Sequence, residues 1–523
     1  MENLPDDIPV LKGMVAAFSE EKRRYSEDVR RYERENKLLR EQVLLLKAKL
    51  FGRKTEKLPV DGAEQQVLFD EPVESTPEKS ESSITIPEHT RKKTGRKPLP
   101  ADLPRIEIIH DINEEEKVCA CGADKRVIGR EECEKLDIIP AQIRVIRHIR
   151  LKYACKACEG VESDGPTVTI APVPEQIIPK SIATPGLLAY LLTAKFVDAL
   201  PFYRQEKQFE RLGVELNRTS MSSWAIQVAE RCQPLLDLLR AEILSGPLIN
   251  VDETTVQVLG EAHRANTSKS YMWVFRGGPP GKPALVYRYH PTRSGEVARR
   301  YLDGYKGFVQ TDGYAGYDFL DQNPDVVHAG CWAHARRKFV EVTQAGGKHK
   351  TGSADVALSY IQKLYAIEKE LRTREVGPEE IMAQRQLRAR PILEEFKAWL
   401  DKRMLETPPK GLLGKAVAYT LGQWERLVKY TENGLLTPDN NLAENAIRPF
   451  VVGRKNWLFS GNPDGAAASA TLYSLIETAK ACGLEPYRYL RHLFERLPFA
   501  YTTEDFKALL PQYLSMATLD PLP

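Results

Sequence analysis

The sequence predicts a multidomain chain: an α/β sheet domain carrying a helical insertion, preceded by a coiled coil, a cysteine-paired β domain and a helical domain. Three observations point there. Apolar residues recur in heptads over residues 11 to 50; short β-type runs separated by Gly, Pro and charged turns follow Pro247; and a mainly helical stretch, 345–435, parts those runs from a last acid-bearing helix. With 523 residues the chain exceeds what one core organises, and 42% apolar content supplies several cores. No run of about eighteen apolar residues occurs, and the start "MENLPDDIPV" is acidic where a secretory signal is basic then apolar. The expectation is a soluble cytoplasmic protein with no membrane partner.

Residues 1–52 are expected to form the coiled coil. Leu11, Phe18, Tyr25, Tyr32, Leu39 and Leu46 alternate by steps of four and three with Val15, Lys22, Val29, Asn36, Val43 and Leu50. Lys22 and Asn36 are polar insertions of the kind that set register, which predicts a homodimer or higher oligomer; a long helix packed on its own protein is the alternative. Residues 53–103 read as a linker. Net charge is only +3, but residues 61 to 90 hold eight acids against one base, whereas "RKKTGRK" holds five bases. In that arm Arg91, Lys92, Lys93, Arg96 and Lys97 flank a Gly, a pattern suited to a DNA minor groove and equally to a solvated linker.

Residues 104–178 are rich in β-branched residues ("IEIIHDI", "IRVIRHIRLKYAC") and carry Cys119 and Cys121 in "CACG", then Cys155 and Cys158 in "CKAC". Four thiolates in two close pairs suit structural Zn²⁺ in a zinc-ribbon-like domain, although Cys-x-Cys is tighter than the usual first knuckle. Residues 179–246 read helical. Thr184 is a candidate cap ahead of Pro185, and two helices joined through "VELNRTS" outline a helix-turn-helix whose Ser222, Ser223 and Gln227 are candidates to face bases. A plain helical hairpin is the alternative.

The catalytic core is expected at 247–344 and 436–482, with the insertion between and a helical tail at 483–523. "INVDET" buries Asp252 in its first strand and "FVQTDGY" ends its fourth at Asp312; an acid inside an apolar strand is costly to bury unless it meets a cation. If those two strands are neighbours, as in a ribonuclease-H-like fold, the aspartates face one point. "TPDNNLAENAIRPF" then supplies Glu444 from a helix expected to be capped by Thr437 with Pro438 in its first turn. Hard carboxylate oxygens favour Mg²⁺ or Mn²⁺, and Arg448, Arg454 and Lys455 nearby are candidates to hold phosphates.

Taken together, "LFGRKTEK", "RKKTGRKPLPADLPR", the cysteine pairs, "INVDETTVQV", "VQTDGYAGY", "GCWAHARRKF", "NLAENAIRPFVVGRKNWLFSG" and "ETAKACGLEPYRYL" resemble the bacterial DDE transposases of the insertion sequence 66 type, over nearly the whole chain. The resemblance implies an enzyme that binds the terminal inverted repeats of its element, cuts there and joins the freed 3′ hydroxyls to target DNA. It implies Asp252, Asp312 and Glu444 as the metal-binding triad of two-metal phosphoryl transfer, and small accessory proteins of the element as possible partners. In "GCWAHARRKF" His334, Arg336 and Arg337 are candidates to contact DNA near the triad, the alternative being that Trp332 and Phe339 are core while His334 caps or packs; Cys331 has no partner at metal spacing and reads as a buried thiol. A non-catalytic DNA-binding regulator, a structural assembly protein and a nuclease without strand transfer remain as other readings.

Overall fold

The computed structural model describes residues 7–51, 143–154, 168–170, 172–346 and 352–519. The chain divides into two units, Lys57–Val173 and the remainder. Within the first, an antiparallel pair joins β1 (Lys152–Ala154) to β2 (Val168–Ile170), with Lys152 opposite Ile170. Of the β-branched run "IRVIRHIRLKYAC", residues 152–154 pair and residues 143–151 lie outside any ladder. The basic arm (Arg91, Lys92, Lys93, Arg96, Lys97) and Cys119, Cys121, Cys155 and Cys158 lie outside the described residues.

The larger unit begins with α1 (Ile8–Phe51), a continuous 44-residue helix. Its heptad seam is solvent-facing in the single chain: Phe18, Tyr25, Tyr32, Leu39 and Leu46 are all exposed. Beyond residue 173 this larger unit continues with α2 (Pro185–Phe196), α3 (Phe202–Arg211), α4 (Arg218–Arg231) and α5 (Gln233–Ser245). Thr184 caps α2 through its hydroxyl and Leu187 N (3.2 Å), while Asn217 caps α4 through Ser220 N (2.8 Å), so both helix starts are set by local side chains.

Five strands follow: β3 (Leu248–Gln257), β4 (Lys269–Gly277), β5 (Ala284–His290), then α6 (Glu296–Tyr301), β6 (Gly307–Gln310) and β7 (Val326–Ala329). They lie in the order β5-β4-β3-β6-β7; β3, β4 and β5 are antiparallel, and β6 and β7 run parallel to β3. The first and fourth strands are therefore neighbours, with Asn250 opposite Gln310. Consecutive buried residues in β4 (Met272–Phe275) and β5 (Ala284–Tyr287) mean that this side of the sheet is covered on both faces.

Next come α7 (Trp332–Gly346), α8 (Ser353–Thr373), α9 (Pro378–Gln384), α10 (Arg390–Glu406), α11 (Leu412–Gly422) and α12 (Trp424–Val428). Helices α8 to α12 form a core with α7 around Trp332, Phe339, Ile361, Phe396 and Trp424, separate from the core under the sheet. The chain returns to the sheet with α13 (Asn441–Trp457) and α14 (Pro463–Ala481), and ends with α15 (Pro486–Arg496) and α16 (Thr503–Ala508). Helix α14 closes the edge strand: Tyr287 N donates to Ser474 Oγ (2.8 Å), and Leu285 N donates to Thr478 Oγ1 (3.0 Å), whose hydroxyl donates back to Leu285 O. Hydroxyls thus satisfy edge groups that would otherwise invite another strand. No described helix is long and apolar enough to cross a membrane.

His328 on β7 is buried between Asp321 Oδ1 and Thr311 Oγ1, each 2.8 Å from a ring nitrogen. Burial holds the imidazole down to about 4, helped by Arg426, which also pairs with Asp321. Between that value and an unfolded value of about 6.5, the unfolded chain binds the extra proton. The associated stability is present above pH 6.5 and lost as pH falls through 4, by about 3 kcal/mol in all. Urea unfolding at pH 7.5 and 5 is expected to show a fall in stability that His328→Asn flattens.

Candidate metal centre

Asp252 sits mid-strand in β3, and its Oδ1 accepts the Glu253 N–H (2.8 Å). Asp312 lies two residues beyond β6, its Oδ1 accepting the Tyr314 N–H (3.0 Å). Each aspartate thus spends one oxygen on a backbone donor, which fixes the direction of the other. Glu444 is on the first turn of α13 and half-buried, with no hydrogen-bond partner for Oε1 among the described residues. Burial, then the charge of Glu253, then those of Asp312 and Glu444 raise the Asp252 carboxyl to about 8. The three acids therefore share one electrostatic neighbourhood, and no ion pair to Asp252 occurs among the described residues.

The neighbouring acid is treated differently. Glu253 is buried and pairs with Arg293 (2.5 Å), and the Tyr317 hydroxyl donates to its other oxygen. Arg293 stacks 3.8 Å over the Tyr314 ring, so one buried acid has its own cation while the adjacent one has none. Sequence reasoning did not single out this Glu253–Arg293–Tyr317 group.

A buried amide network brings the segments together. Asn250 Nδ2 donates to Gln310 Oε1 and to Asn440 Oδ1 (both 3.0 Å); Asn440 Nδ2 donates to Val251 O (2.8 Å); Gln310 Nε2 donates to Gly330 O (3.0 Å) and Thr437 O (2.6 Å). It ties β3, β6, the start of α7 and the approach to α13, through donors whose burial makes each bond costly to lose. Asn250 and Gln310 betray themselves in sequence only as polar residues at inward positions of apolar strands, the same anomaly that singled out Asp252.

The start of α13 differs from expectation. The helix begins at Asn441, not at Thr437 and Pro438. Tertiary bonds hold the preceding residues off helical geometry: Trp332 N donates to Pro438 O (2.9 Å), the Tyr365 hydroxyl donates to Asp439, and Asn440 joins the network. Pro449, inside α13, removes a helix donor, and the Tyr287 hydroxyl donates to Ala446 O in the affected turn.

The other candidates fall into three places. His334 is at the start of α7, its Nδ1 3.7 Å from Glu444 Oε1; Arg336 and Arg337 follow one and two residues beyond Ala335 on the same helix. Cys331 is also here, buried as its sequence context suggests, and ligand atoms of Cys331, His334 and Glu444 lie within 4.8 Å of one another. Arg448 and Lys455 are exposed on α13, whereas Arg454 turns onto β3, donating to Thr254 Oγ1 and Thr255 Oγ1 (3.2 Å each). Ser222 and Ser223 are exposed on α4, and Gln227 donates to Ser223 Oγ (3.0 Å); none of these three joins the acids. From the insertion, Tyr419 closes over Gly313, where a Cβ would lie 2.5 Å from its hydroxyl, so a larger residue after Asp312 would have to push the Tyr419 ring aside.

The chain matches the family model described as "Transposase IS66 family" over residues 180–468 and that of the "IS66 C-terminal element" over 474–512. Residues 116–159, spanning all four paired cysteines, match "zinc-finger binding domain of transposase IS66", and 38–108 match "Transposase C of IS166 homeodomain". Among curated proteins it is similar to uncharacterized protein y4jD of Sinorhizobium fredii (strain NBRC 101917 / NGR234), 34% identical over 90% of this chain and 94% of the relative. Uncharacterized protein y4qI of the same organism is 29% identical, with 97% of each chain covered.

Proposed function

The chain belongs to the IS66 transposase family, and from that premise we propose that it is a DNA transposase that binds the ends of its element, cleaves a phosphodiester there and transfers the 3′ end to target DNA. The observation that carries this reading is the grouping of Asp252, Asp312 and Glu444: three acids in one electrostatic neighbourhood, the first half-buried and without a cation. The strand order, with β3 flanked by β4 and β6, supports a ribonuclease-H-like core. The donor set fits hard divalent ions, since the free oxygens are carboxylate and Glu444 Oε1 has no protein partner among the described residues. Asp252, Asp312 and Glu444 would hold Mg²⁺ or Mn²⁺, which when bound lowers the barrier by neutralising charge on attacking and leaving oxygens.

The protein's own groups position the reaction. Arg448, Lys455, Arg336 and Arg337 hold DNA phosphates around the acids; Arg454 braces α13 on β3. His334 orients the attacking hydroxyl or the scissile phosphate at the rim of the acids. Water attacks at the element end to free a 3′ hydroxyl, which then attacks the target phosphodiester, with no covalent protein intermediate. The basic arm, a Zn²⁺ site at Cys119, Cys121, Cys155 and Cys158, and Ser222, Ser223 and Gln227 on α4 contribute recognition of the ends. The exposed heptad seam of α1 supports pairing of two chains, which would bring two ends together. Purified protein with labelled element-end DNA is expected to give nicked and then joined products only with Mg²⁺ or Mn²⁺. Nicks without joining would reduce it to a nuclease, and end binding without cleavage to a regulator.

A further inference from the structure

We propose that Cys331, His334 and Glu444 form a second kind of metal site, for a thiophilic divalent ion of the Zn²⁺ class, and that its occupation withdraws Glu444 from the two aspartates and brakes the enzyme. The inhibitory half rests on the transposase reading; the binding half does not. Sulfur, imidazole nitrogen and one carboxylate oxygen are a borderline-soft donor set, the opposite of an all-carboxylate site. Their ligand atoms lie within 4.8 Å of one another, and His334 Nδ1 and Glu444 Oε1 stand 3.7 Å apart. Donors on one tetrahedral Zn²⁺, with bonds of about 2.0–2.3 Å, sit roughly 3.4–3.7 Å from each other, so side-chain adjustment on the ångström scale completes the site.

Two further observations point the same way. His334 Nδ1 and Glu444 Oε1 are shielded from water and neither has a hydrogen-bond partner among the described residues, a costly arrangement for two polar atoms that face each other. Cys331 is buried just ahead of α7, where the backbone N–H groups of Asn440 (3.2 Å) and His334 donate to its sulfur. Burial, with the charges of Asp439 and Glu444, outweighs those donors and pushes the thiol up to about 12, so the sulfur stays protonated until a metal of this class displaces its proton. Three protein ligands leave a fourth position for water. Asp252 and Asp312 are not among these ligands, so the two kinds of site compete only for Glu444.

The test uses the full chain. Equilibrium dialysis against Zn²⁺, followed by metal analysis, is expected to show about one equivalent fewer bound to Cys331→Ser and to His334→Ala than to the unaltered protein. Titration with Co²⁺ is expected to show, as a difference between unaltered and Cys331→Ser protein, sulfur-to-metal charge-transfer absorbance beyond that of the paired cysteines. Near-ultraviolet circular dichroism establishes that each variant is folded; should Cys331→Ser fail there, His334→Ala carries the stoichiometry. Identical metal content and spectra in all three proteins would overturn the site. In Mg²⁺-dependent cleavage, each protein normalised to its own zinc-free rate, Cys331→Ser is expected to need at least tenfold more Zn²⁺ for half-inhibition. Equal sensitivity with unequal stoichiometry would leave a metal site but overturn the brake. If no protein cleaves DNA, the transposase reading has failed while the stoichiometry still decides the binding site.

Discussion

In Asp252→Asn protein, Mg²⁺-dependent nicking of element-end DNA is expected to fall by roughly 10³-fold or more, with end binding retained. The substitution keeps shape and removes the ionisable group. In the metal-free protein that carboxyl, raised to about 8 by burial and by Glu253, Asp312 and Glu444, is mostly protonated at neutral pH and ionises only at a cost that the amide does not carry. The melting temperature of Asp252→Asn without metal should therefore equal or exceed that of the unaltered chain. Added Mg²⁺ should raise the melting temperature of the unaltered protein and leave the variant nearly unmoved, since only binding to the folded state stabilises it. Cleavage at unaltered rate would remove Asp252 from the chemistry. A variant that melts much lower would show that the carboxylate is structural.

Arg385→Met is expected to destabilise the protein by about 3–5 kcal/mol, the larger effect on folding. Arg385 is buried in the insertion, in a π-helical turn between α9 and α10. Its guanidinium makes two 2.7 Å bonds to Glu368 and donates to the carbonyls of Tyr430, Asn433 and Leu436 (2.8–2.9 Å). Removing it strands a buried carboxylate and three carbonyls together. Those carbonyls belong to the segment leading into α13, so the variant should also lose cleavage at temperatures where it remains folded, through displacement of Glu444. Pairing it with Glu368→Leu should recover a substantial part of the stability, because the uncompensated charge goes too. Thermal unfolding of the single and double variants checks both statements; equal melting points for all three proteins would mean that the insertion does not depend on this pair.

The extent to which the sequence was legible differs between elements. The strands after Pro247, the helical segment between the third and fourth, the two capped helices and the helical stretch after α7 follow from local pattern. The juxtaposition of β3 with β6 was a supposition in the sequence, and the ladder pairing Asn250 with Gln310 now stands in the fold. The start of α13 was misplaced because Thr437 and Pro438 have local helix-start chemistry that tertiary bonds override. Cys331 is buried as its context suggests, but its nearness to Glu444 was not legible, because that acid comes from a helix more than a hundred residues later.

By itself, the sequence determined most of the helices and strands after residue 184, and that Asp252 was too costly to bury without a purpose, since periodicity, caps and desolvation act over a few residues. Only the tertiary structure decided that Asn250, Gln310 and Asn440 would bolt those segments together, that Glu253 would have a cation and Asp252 none, and that a thiol and an imidazole would face Glu444. Those outcomes depend on side-chain bonds between residues 40 to 190 positions apart, for which no local pattern encodes the partner.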